Sequence, residues 1–215
     1  MSSIKIFPFN SFQVNTYVLY DETGECVIID PACYEKEEEK QLSDFILSEK
    51  LQPKYLLLTH AHIDHILGIR FVSDTYGLTP LTHKDSMAFL ESSREYGKVF
   101  GFDVKKPVLP KSFLSDGDTI SYGKQNLKVI YTPGHAAGSL CFYHEKDQFL
   151  IAGDVLFQSS IGRTDLPTGD HDTLIKSIFQ KILTLPDGVK IYPGHGPDTT
   201  VERERTSNPF LNGLY

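Results

Sequence analysis

The 215-residue chain has little cysteine, no tryptophan and no long hydrophobic run. Its three cysteines, Cys26, Cys33 and Cys141, are too few for a disulfide scaffold and leave at least one thiol unpaired, which is typical of a reducing compartment. No apolar run approaches the roughly 20 residues that cross a bilayer. The first ten residues lack the apolar stretch and the cleavage site of a signal peptide. The sequence therefore predicts a cytoplasmic protein without a membrane partner.

Positive charge is also in short supply, since 21 Lys and Arg stand against 28 Asp and Glu, giving a formal net charge of -7. An acidic surface repels nucleic acid, so we expect no nucleic-acid partner. Hydrophobic residues make up 40% of the chain and charged residues 23%, the balance of an ordinary globular protein. Because the chain contains no internal repeat or low-complexity linker, we expect one domain spanning residues 1–215.

Short strand-like runs alternate with helical patterns along the chain. Strands are expected at 4–9, 14–20, 26–30, 55–58, 119–122, 127–131, 139–143, 149–152 and 190–192. Helices are expected at 34–50, about 65–76 and 174–183, the last with Asp170 or Asp172 as its N-cap. This order favours an α/β fold in which two mixed sheets pack together with helices outside, an αββα sandwich. Periodicity alone does not distinguish it from other α/β folds.

The segment that follows the apolar run at 55–58 contains three histidines and an aspartate within six residues. In an extended segment alternate side chains point the same way, so His60 and His62 can converge on one point. Asp64 and His65 lie where the chain turns toward the next helix and can face a second point nearby. The arrangement differs from the helical HExxH motif, because here a strand end and a loop carry the side chains. A metal site is favoured over a polar loop of unrelated histidines.

Three later segments share a pattern, in which an apolar strand is followed by glycine and then by His or Asp. They end at His135, Asp154 and His195. Glycine before the polar residue permits a sharp turn and close approach of the main chain. Each segment alone is a weak signal, but together with the first motif they provide enough ligands for two metal ions. The candidate ligands are His60, His62, Asp64, His65, His135, Asp154 and His195.

This set resembles the signature of the metallo-β-lactamase superfamily, over about Val14 to Gly196. The segments 132–139 and 152–157 are most similar to the glyoxalase II branch, the hydroxyacylglutathione hydrolases. Segment 160–165 resembles the short bacterial members of that branch and also the persulfide dioxygenases. The resemblance implies two divalent ions, zinc in the first place, with iron or manganese as alternatives because His and Asp suit all three. It assigns His60, His62 and His135 to one metal, Asp64, His65 and His195 to the other, and Asp154 as a bridge.

The chain departs from the glyoxalase II pattern in two places. Leu67-Gly68 stands where Gly-Gly is usual, and about 20 residues follow His195, so we expect no helical C-terminal domain to grip glutathione. The thiol of the substrate is therefore left open. Asp154 stands where the best-known zinc β-lactamases carry Cys or Ser, which disfavours an antibiotic-cleaving role.

The implied activity is hydrolysis of a small-molecule thioester by a metal-bound hydroxide, whose proton Asp64 would hold and orient as a catalytic residue. The nearest alternative is a persulfide dioxygenase with one iron. A phosphodiesterase or a lactonase of the same fold is less favoured than either of these two activities. A purely structural metal domain is also disfavoured, because structural zinc sites are usually rich in cysteine. The sequence leaves open whether the protein is a monomer or a homodimer.

Two other segments could contribute to such a site. Arg163 and Asp165 either bind a substrate carboxylate or pair with one another beneath the site, and pairing is favoured because a polar loop needs internal partners. Segment 86–113 contains aromatic residues among charged ones. It is either ordinary helix core or an apolar cover over the metal cleft, and the sequence does not separate the two.

The remaining polar segments have no ligand-like setting. His83, His144 and His171 are interpreted as ordinary histidines without a metal-binding role. Segment 202–205 is expected to be a solvated helix face. Segment 208–211 either docks the tail against the domain or contacts a second subunit.

Overall fold

The computed structural model describes residues 1–213, in which two β-sheets pack face to face with helices on their outer sides. The predicted αββα sandwich is confirmed. Leu214 and Tyr215, which the predicted domain 1–215 includes, lie outside the described residues. The strands are β1 (Ser3–Phe9), β2 (Val14–Tyr20), β3 (Glu25–Ile29), β4 (Gln52–Leu57), β5 (Pro80–Leu81), β6 (Thr119–Tyr122), β7 (Gln125–Tyr131), β8 (Leu140–His144), β9 (Phe149–Gly153), β10 (Leu156–Phe157), β11 (Ser160–Ile161), β12 (Lys190–Pro193) and β13 (Thr199–Thr200).

Both large sheets are mixed. The first has the order β1-β2-β3-β4-β5, antiparallel up to β3 and parallel from β3 to β5. The second has the order β13-β12-β9-β8-β7-β6, in which only β9 and β12 pair in parallel. Strands β10 and β11 form a separate hairpin. As a result β7, β9 and β12 run in the same direction and end at one edge of the second sheet.

Among the 213 described residues, five α-helices cover the outer faces, together with shorter helical turns. The α-helices are α1 (Lys36–Ser48), α2 (Ile69–Tyr76), α3 (Met87–Val99), α4 (His171–Ser177) and α5 (Val201–Ser207), and the turns are 3-10 at Ile63–His65 and Lys84–Ser86 and π-helical at Ile178–Ile182. Asp170 caps α4 as predicted, accepting a hydrogen bond from the Thr173 amide at 2.7 Å. Within residues 1–213, none of the helices combines the length and the apolar character needed to cross a bilayer.

The core has three layers because alternate residues of the central strands face opposite sides. In β3, Val27 and Ile29 pack between the two sheets, whereas Cys26 and Ile28 pack outward against the helices. The outer face of the second sheet packs against α4 and the π-helical turn through residues such as Leu174. All three cysteines are buried and unpaired, and burial raises their pKa to about 12.

The helix expected from about residue 65 begins later, at Ile69, since the chain first makes a 3-10 turn at Ile63–His65. Gly68 precedes α2, and its amide donates to the Pro31 carbonyl at 2.8 Å. A Cβ at this position would lie 2.5 Å from the Cys33 sulfur. The close packing of Gly68 against residues 31–33 therefore fixes the start of α2. Helical periodicity could not predict this start, because it does not depend on contacts with distant residues.

The prediction of a solvated face at 202–205 is wrong for Glu204, whose side chain is fully buried. It accepts hydrogen bonds from the Thr199 hydroxyl at 2.5 Å, the Ser159 amide at 2.9 Å and the Asn208 side-chain amide at 2.8 Å. Asn208 also donates to the Ser160 carbonyl at 3.0 Å. Together these bonds dock the tail against the β10–β11 hairpin, which is one of the two alternatives for segment 208–211.

Replacing Glu204 with alanine is expected to lower the free energy of unfolding by about 2–4 kcal/mol, because the Ser159 amide and the buried Thr199 hydroxyl lose their partner. Glu204→Gln should lose less, since its amide oxygen can still accept. Urea unfolding measures both changes. The exposed neighbour Glu202 provides the control, with less than about 1 kcal/mol expected for Glu202→Ala. Equal losses for the two alanine variants would show that the buried network contributes nothing.

Candidate metal centre

All seven predicted ligand residues lie at the carboxyl ends of strands and meet at one edge of the sandwich. His60, His62, Asp64 and His65 follow β4, while His135, Asp154 and His195 follow β7, β9 and β12. Because the ends of β4, β7, β9 and β12 meet at this edge, residues as far apart in the sequence as His60 and His195 come together. The sequence prediction that these segments converge is consistent with this arrangement.

The side chains form two groups that share one carboxylate. The candidate ligand atoms of His60, His62 and His135 lie within 4.8 Å of one another, and so do those of Asp64, His65 and His195. Asp154 lies between the groups. Its Oδ1 is 3.4 Å from His65 Nε2, and its Oδ2 is 3.7 Å from His135 Nε2 and 3.5 Å from His195 Nε2.

Several atoms of this cluster are buried without a hydrogen-bond partner, although buried polar atoms are nearly always paired. They are Nε2 of His60, His62 and His135 and Oδ1 of Asp154, and Ser73 Oγ is the one other such side-chain atom among the described residues. Leaving a buried polar atom unpaired costs about 1–3 kcal/mol. Imidazole nitrogens and carboxylate oxygens are ligands for divalent metals. The donor set therefore fits metal ions.

Three of the histidines are oriented by hydrogen bonds at Nδ1, the ring nitrogen that faces away from the cluster. His135 donates to the Arg163 carbonyl at 2.8 Å, His195 donates to the Phe12 carbonyl at 2.9 Å, and His65 donates to an Asp30 carboxylate oxygen at 3.1 Å. A proton fixed on Nδ1 leaves the lone pair on Nε2, which faces the other ligand side chains. This is the tautomer that a metal ion requires.

The protonation states differ between the two groups. Burial lowers the pKa of His62 to about 4 and also lowers the pKa of His60 and His135, so these imidazoles are neutral at pH 7. Burial alone would also lower the pKa of His195, but hydrogen bonds that it donates to the Asp154 and Asp64 carboxylates raise it to about 9. In the metal-free protein, His195 therefore carries a second proton on Nε2, which a bound metal would displace, and its charge balances that of the ionised carboxylates beside it.

Asp30 supports the site and was missed by the sequence analysis, which placed it only at the end of the strand expected at 26–30. The buried Asp30 carboxylate accepts hydrogen bonds from the Thr59 amide at 2.7 Å and the Thr59 hydroxyl at 2.6 Å, besides that from His65. Its backbone has a φ of 49°, which is unusual for a residue other than glycine. The sequence did contain a signal for this role. Asp30 directly follows β3, and the carboxyl ends of adjacent parallel strands, here β3 and β4, meet at one edge of a sheet.

Replacing Asp30 with alanine is expected to lower the free energy of unfolding of the metal-free protein by about 3–5 kcal/mol. The Thr59 amide loses its acceptor and His65 loses its anchor. Urea unfolding in a chelator measures the change, and zinc titration should show weaker binding. Asp44 is exposed and paired with Lys40 on α1, so Asp44→Ala serves as the control. Wild-type stability and zinc affinity in Asp30→Ala would contradict the supporting role.

Glycine precedes three of the ligands because no larger residue fits there. Gly134 has a φ of 130°, and a Cβ on it would collide with the Leu174 backbone at the start of α4. A Cβ on Gly194 would overlap the Asp154 carboxylate. The predicted close approach of the main chain at these positions is confirmed.

Comparison with known proteins agrees with this geometry. A family model described as the metallo-beta-lactamase superfamily matches residues 10–195. The chain belongs to the metallo-β-lactamase superfamily. The hydroxyacylglutathione hydrolase GloC of Haemophilus influenzae is 37% identical over 212 residues, which cover 98% of each chain.

Two solved members of the superfamily share nearly the whole fold. The BLEG-1 B3 metallo-beta-lactamase is 38% identical with a TM-score of 0.90, covering 98% of this chain and 100% of its own. The protein TTHA1623, solved in a di-iron-bound form, is 32% identical with a TM-score of 0.86, covering 96% and 100%. The predicted superfamily resemblance is confirmed.

Five of the seven candidate ligands line a cleft of about 350 Å³, and they are His62, Asp64, His135, Asp154 and His195. Segment 86–113 has both of its predicted roles. Leu90 and Phe102 are buried in the core, whereas Tyr96 and Phe100 line the cleft. The ring of Phe89 packs edge-on against His62 at a centroid distance of 5.2 Å.

Arg163 and Asp165 pair through two hydrogen bonds of 2.7 Å, as favoured by the sequence analysis. The predicted position beneath the site is wrong, because both side chains are exposed and Arg163 lies at the rim of the cleft. The sequence of a loop does not indicate whether its side chains lie beneath a cleft or at its rim.

The other histidines take no part in the cluster, as expected. His83 stacks on Tyr131 at 4.3 Å, and His144 is buried beside Gln125, at 3.2 Å. His171 is the exposed first residue of α4.

Proposed function

We propose that this chain is a metal-dependent hydrolase of small thioesters that uses two divalent ions. One ion would be held by His60, His62 and His135, the other by Asp64, His65 and His195, with Asp154 shared. The observation that carries the proposal is the cluster of unpartnered, buried imidazole and carboxylate atoms at the floor of an open cleft. Open ligand clusters of His and Asp are typical of catalytic rather than structural metal sites.

Zinc remains the first expectation for both ions, with iron or manganese as alternatives. The nitrogen and oxygen ligands suit all three metals. The di-iron form of TTHA1623 supports a pair of ions and makes iron a serious alternative to zinc. The protein must therefore be tested with each metal separately.

The chemistry follows from the position of the side chains. A bound divalent ion supplies polarisation of a carbonyl oxygen and lowers the pKa of a water ligand to about 7. Asp64 lines the cleft, and its Oδ2 lies 3.3 Å from His195 Nε2. From there its carboxylate can accept a proton from the attacking water and hold that water toward the substrate carbonyl.

The thioester class is supported by the relative GloC, whose named substrate, a hydroxyacylglutathione, is a thioester. The segments 132–139 and 152–157, which resemble the glyoxalase II branch, surround two of the ligands. Hydrolysis of β-lactams is a second candidate, because BLEG-1 matches the chain over nearly its full length. Both reactions begin with attack of water on a carbonyl carbon, so one centre could perform either.

Protein stripped of metal and then loaded with zinc, iron(II) or manganese(II) tests the proposal. We expect about two ions per chain by elemental analysis, and thiol release from S-lactoylglutathione or from a neutral acyl thioester. Ring opening of nitrocefin without thiol release would favour the second candidate. One iron per chain with oxygen uptake on a persulfide would instead identify a persulfide dioxygenase. The metal-stripped protein is the control for each assay.

A further inference from the structure

The cleft above the ligand cluster has an aromatic wall built from two separate parts of the chain. Phe12 lies in the turn between β1 and β2, and Phe100 directly follows α3. Their ring centroids are 6.0 Å apart, and Tyr96 packs against Phe100 at 5.2 Å. Phe12 and Phe100 are each 42% exposed, although large aromatic side chains usually avoid water. The wall therefore presents apolar surface that a ligand in the cleft would cover.

This wall is fixed relative to the ligand cluster. The Phe12 carbonyl accepts the Nδ1 hydrogen bond of His195, so the same residue supplies an aromatic ring to the wall and an anchor to a proposed metal ligand. Phe12 also packs against the buried Phe102 at 5.8 Å. A substrate carbonyl over the cluster would thus have its substituents beside the aromatic wall.

The apolar surface continues past Tyr96 into a second pocket of about 230 Å³. Tyr96 lines both cavities, and Phe89 and Pro167 line the second one. A hydrocarbon group longer than the first cleft can hold would find further apolar surface there.

Positive charge, in contrast, is scarce in the cleft. Arg163 is the one arginine or lysine among the described residues that line it. Its guanidinium is already paired in bidentate fashion with Asp165. Glutathione carries two carboxylates, which need cationic partners to be bound strongly. The cleft offers neither of them an unpaired cation.

We infer that the cleft binds thioesters with an apolar arm, an aromatic or extended hydrocarbon group, against Phe12, Tyr96 and Phe100, and that it selects against the carboxylates of glutathione. This inference rests on the proposed function and names its substrate class. The substrates below vary the acyl group and the thiol separately, so the apolar arm and the selection against carboxylates are tested independently.

Four thioesters test the preference, combining a lactoyl or a phenylacetyl acyl group with glutathione or the neutral thiol N-acetylcysteamine. We expect the phenylacetyl ester of N-acetylcysteamine to have a kcat/KM at least about tenfold above that of S-lactoylglutathione. A gain from the acyl change supports the apolar arm, and a gain from the thiol change supports selection against the carboxylates of glutathione. Highest kcat/KM for S-lactoylglutathione would overturn the inference.

Two variants connect the preference to named residues. Phe100→Ala should lower kcat/KM for the phenylacetyl substrate about tenfold and change that for S-lactoylglutathione less than twofold. Phe179→Ala is the matched control, because Phe179 is 45% exposed and lies on the π-helical turn outside the cleft. Asp165→Asn frees Arg163 and should raise kcat/KM for the glutathione thioesters several-fold over the neutral ones. Equal effects on both classes of substrate would contradict the inference.

A binding measurement separates this inference from the proposed function. Thioether analogues, with a methylene in place of the carbonyl, can be titrated into metal-free protein by calorimetry. Tighter binding of the phenylethyl thioether of N-acetylcysteamine than of a glutathione thioether, weakened by Phe100→Ala but not by Phe179→Ala, supports the apolar site even if no thioester is hydrolysed. Hydrolysis of thioesters without this difference in binding would overturn the inference and leave the proposed function intact.

Discussion

Replacing Asp154 with alanine is expected to lower the metal content from about two ions per chain to one or fewer and to reduce thioester turnover at least about a thousandfold. The Asp154 carboxylate lies between the two ligand groups, within 3.4 to 3.7 Å of three histidine nitrogens. An alanine methyl group has no oxygen to bind an ion, so both ligand groups lose the carboxylate that they share. Elemental analysis and a thiol-release assay measure the two effects.

The control for this variant is Asp74→Ala, which removes an exposed aspartate paired with Arg70 on α2. It should keep both the metal content and the turnover of the wild-type protein. Full metal content and normal turnover in Asp154→Ala would show that the shared carboxylate has no role in the centre.

Replacing Asp64 with asparagine is expected to reduce kcat by about 10²- to 10⁴-fold with KM nearly unchanged. The asparagine oxygen can still act as a metal ligand, but the side chain can no longer accept the proton of the attacking water. Both Asp64 and Asp154 line the cleft. Asp154 lies within 3.7 Å of three histidine nitrogens and Asp64 within 3.7 Å of two, so we assign the shared-ligand role to Asp154 and the contact with the attacking water to Asp64.

Metal content must be measured in the same preparation of Asp64→Asn, because loss of an ion would also lower kcat. Reduced turnover at full metal content supports a catalytic role. Near-normal turnover at full metal content would remove Asp64 from the mechanism and leave it as a ligand only.

The clustering of the seven candidate ligands was predictable because each of their four segments follows a strand-like run. His60 to His65 follow β4, and a glycine precedes His135, Asp154 and His195, so local spacing carried most of the information. The sheet order then brought these four segments to one edge. Most strand boundaries were correct within a few residues for the same reason, since apolar alternation is a local property.

The errors concern residues whose role depends on a distant partner. Asp30 was predicted only as the last residue of a strand, and the pairing of β3 with β4 places it beside Thr59 and His65. Glu204 appeared solvated on a short charged helix, but the β10–β11 hairpin covers it through the Ser159 amide. Neither contact leaves a periodic signal in the sequence. The sequence likewise leaves open whether the chain is a monomer or a homodimer, because a contact with a second subunit also leaves no periodic signal.

Anomalous X-ray diffraction from crystals of the metal-loaded protein tests the central claim most directly. The account predicts two anomalous peaks per chain, one contacting His60, His62 and His135 and the other contacting Asp64, His65 and His195, with Asp154 touching both. Crystals grown with ample zinc, iron or manganese that show no anomalous peak among these seven side chains would contradict it.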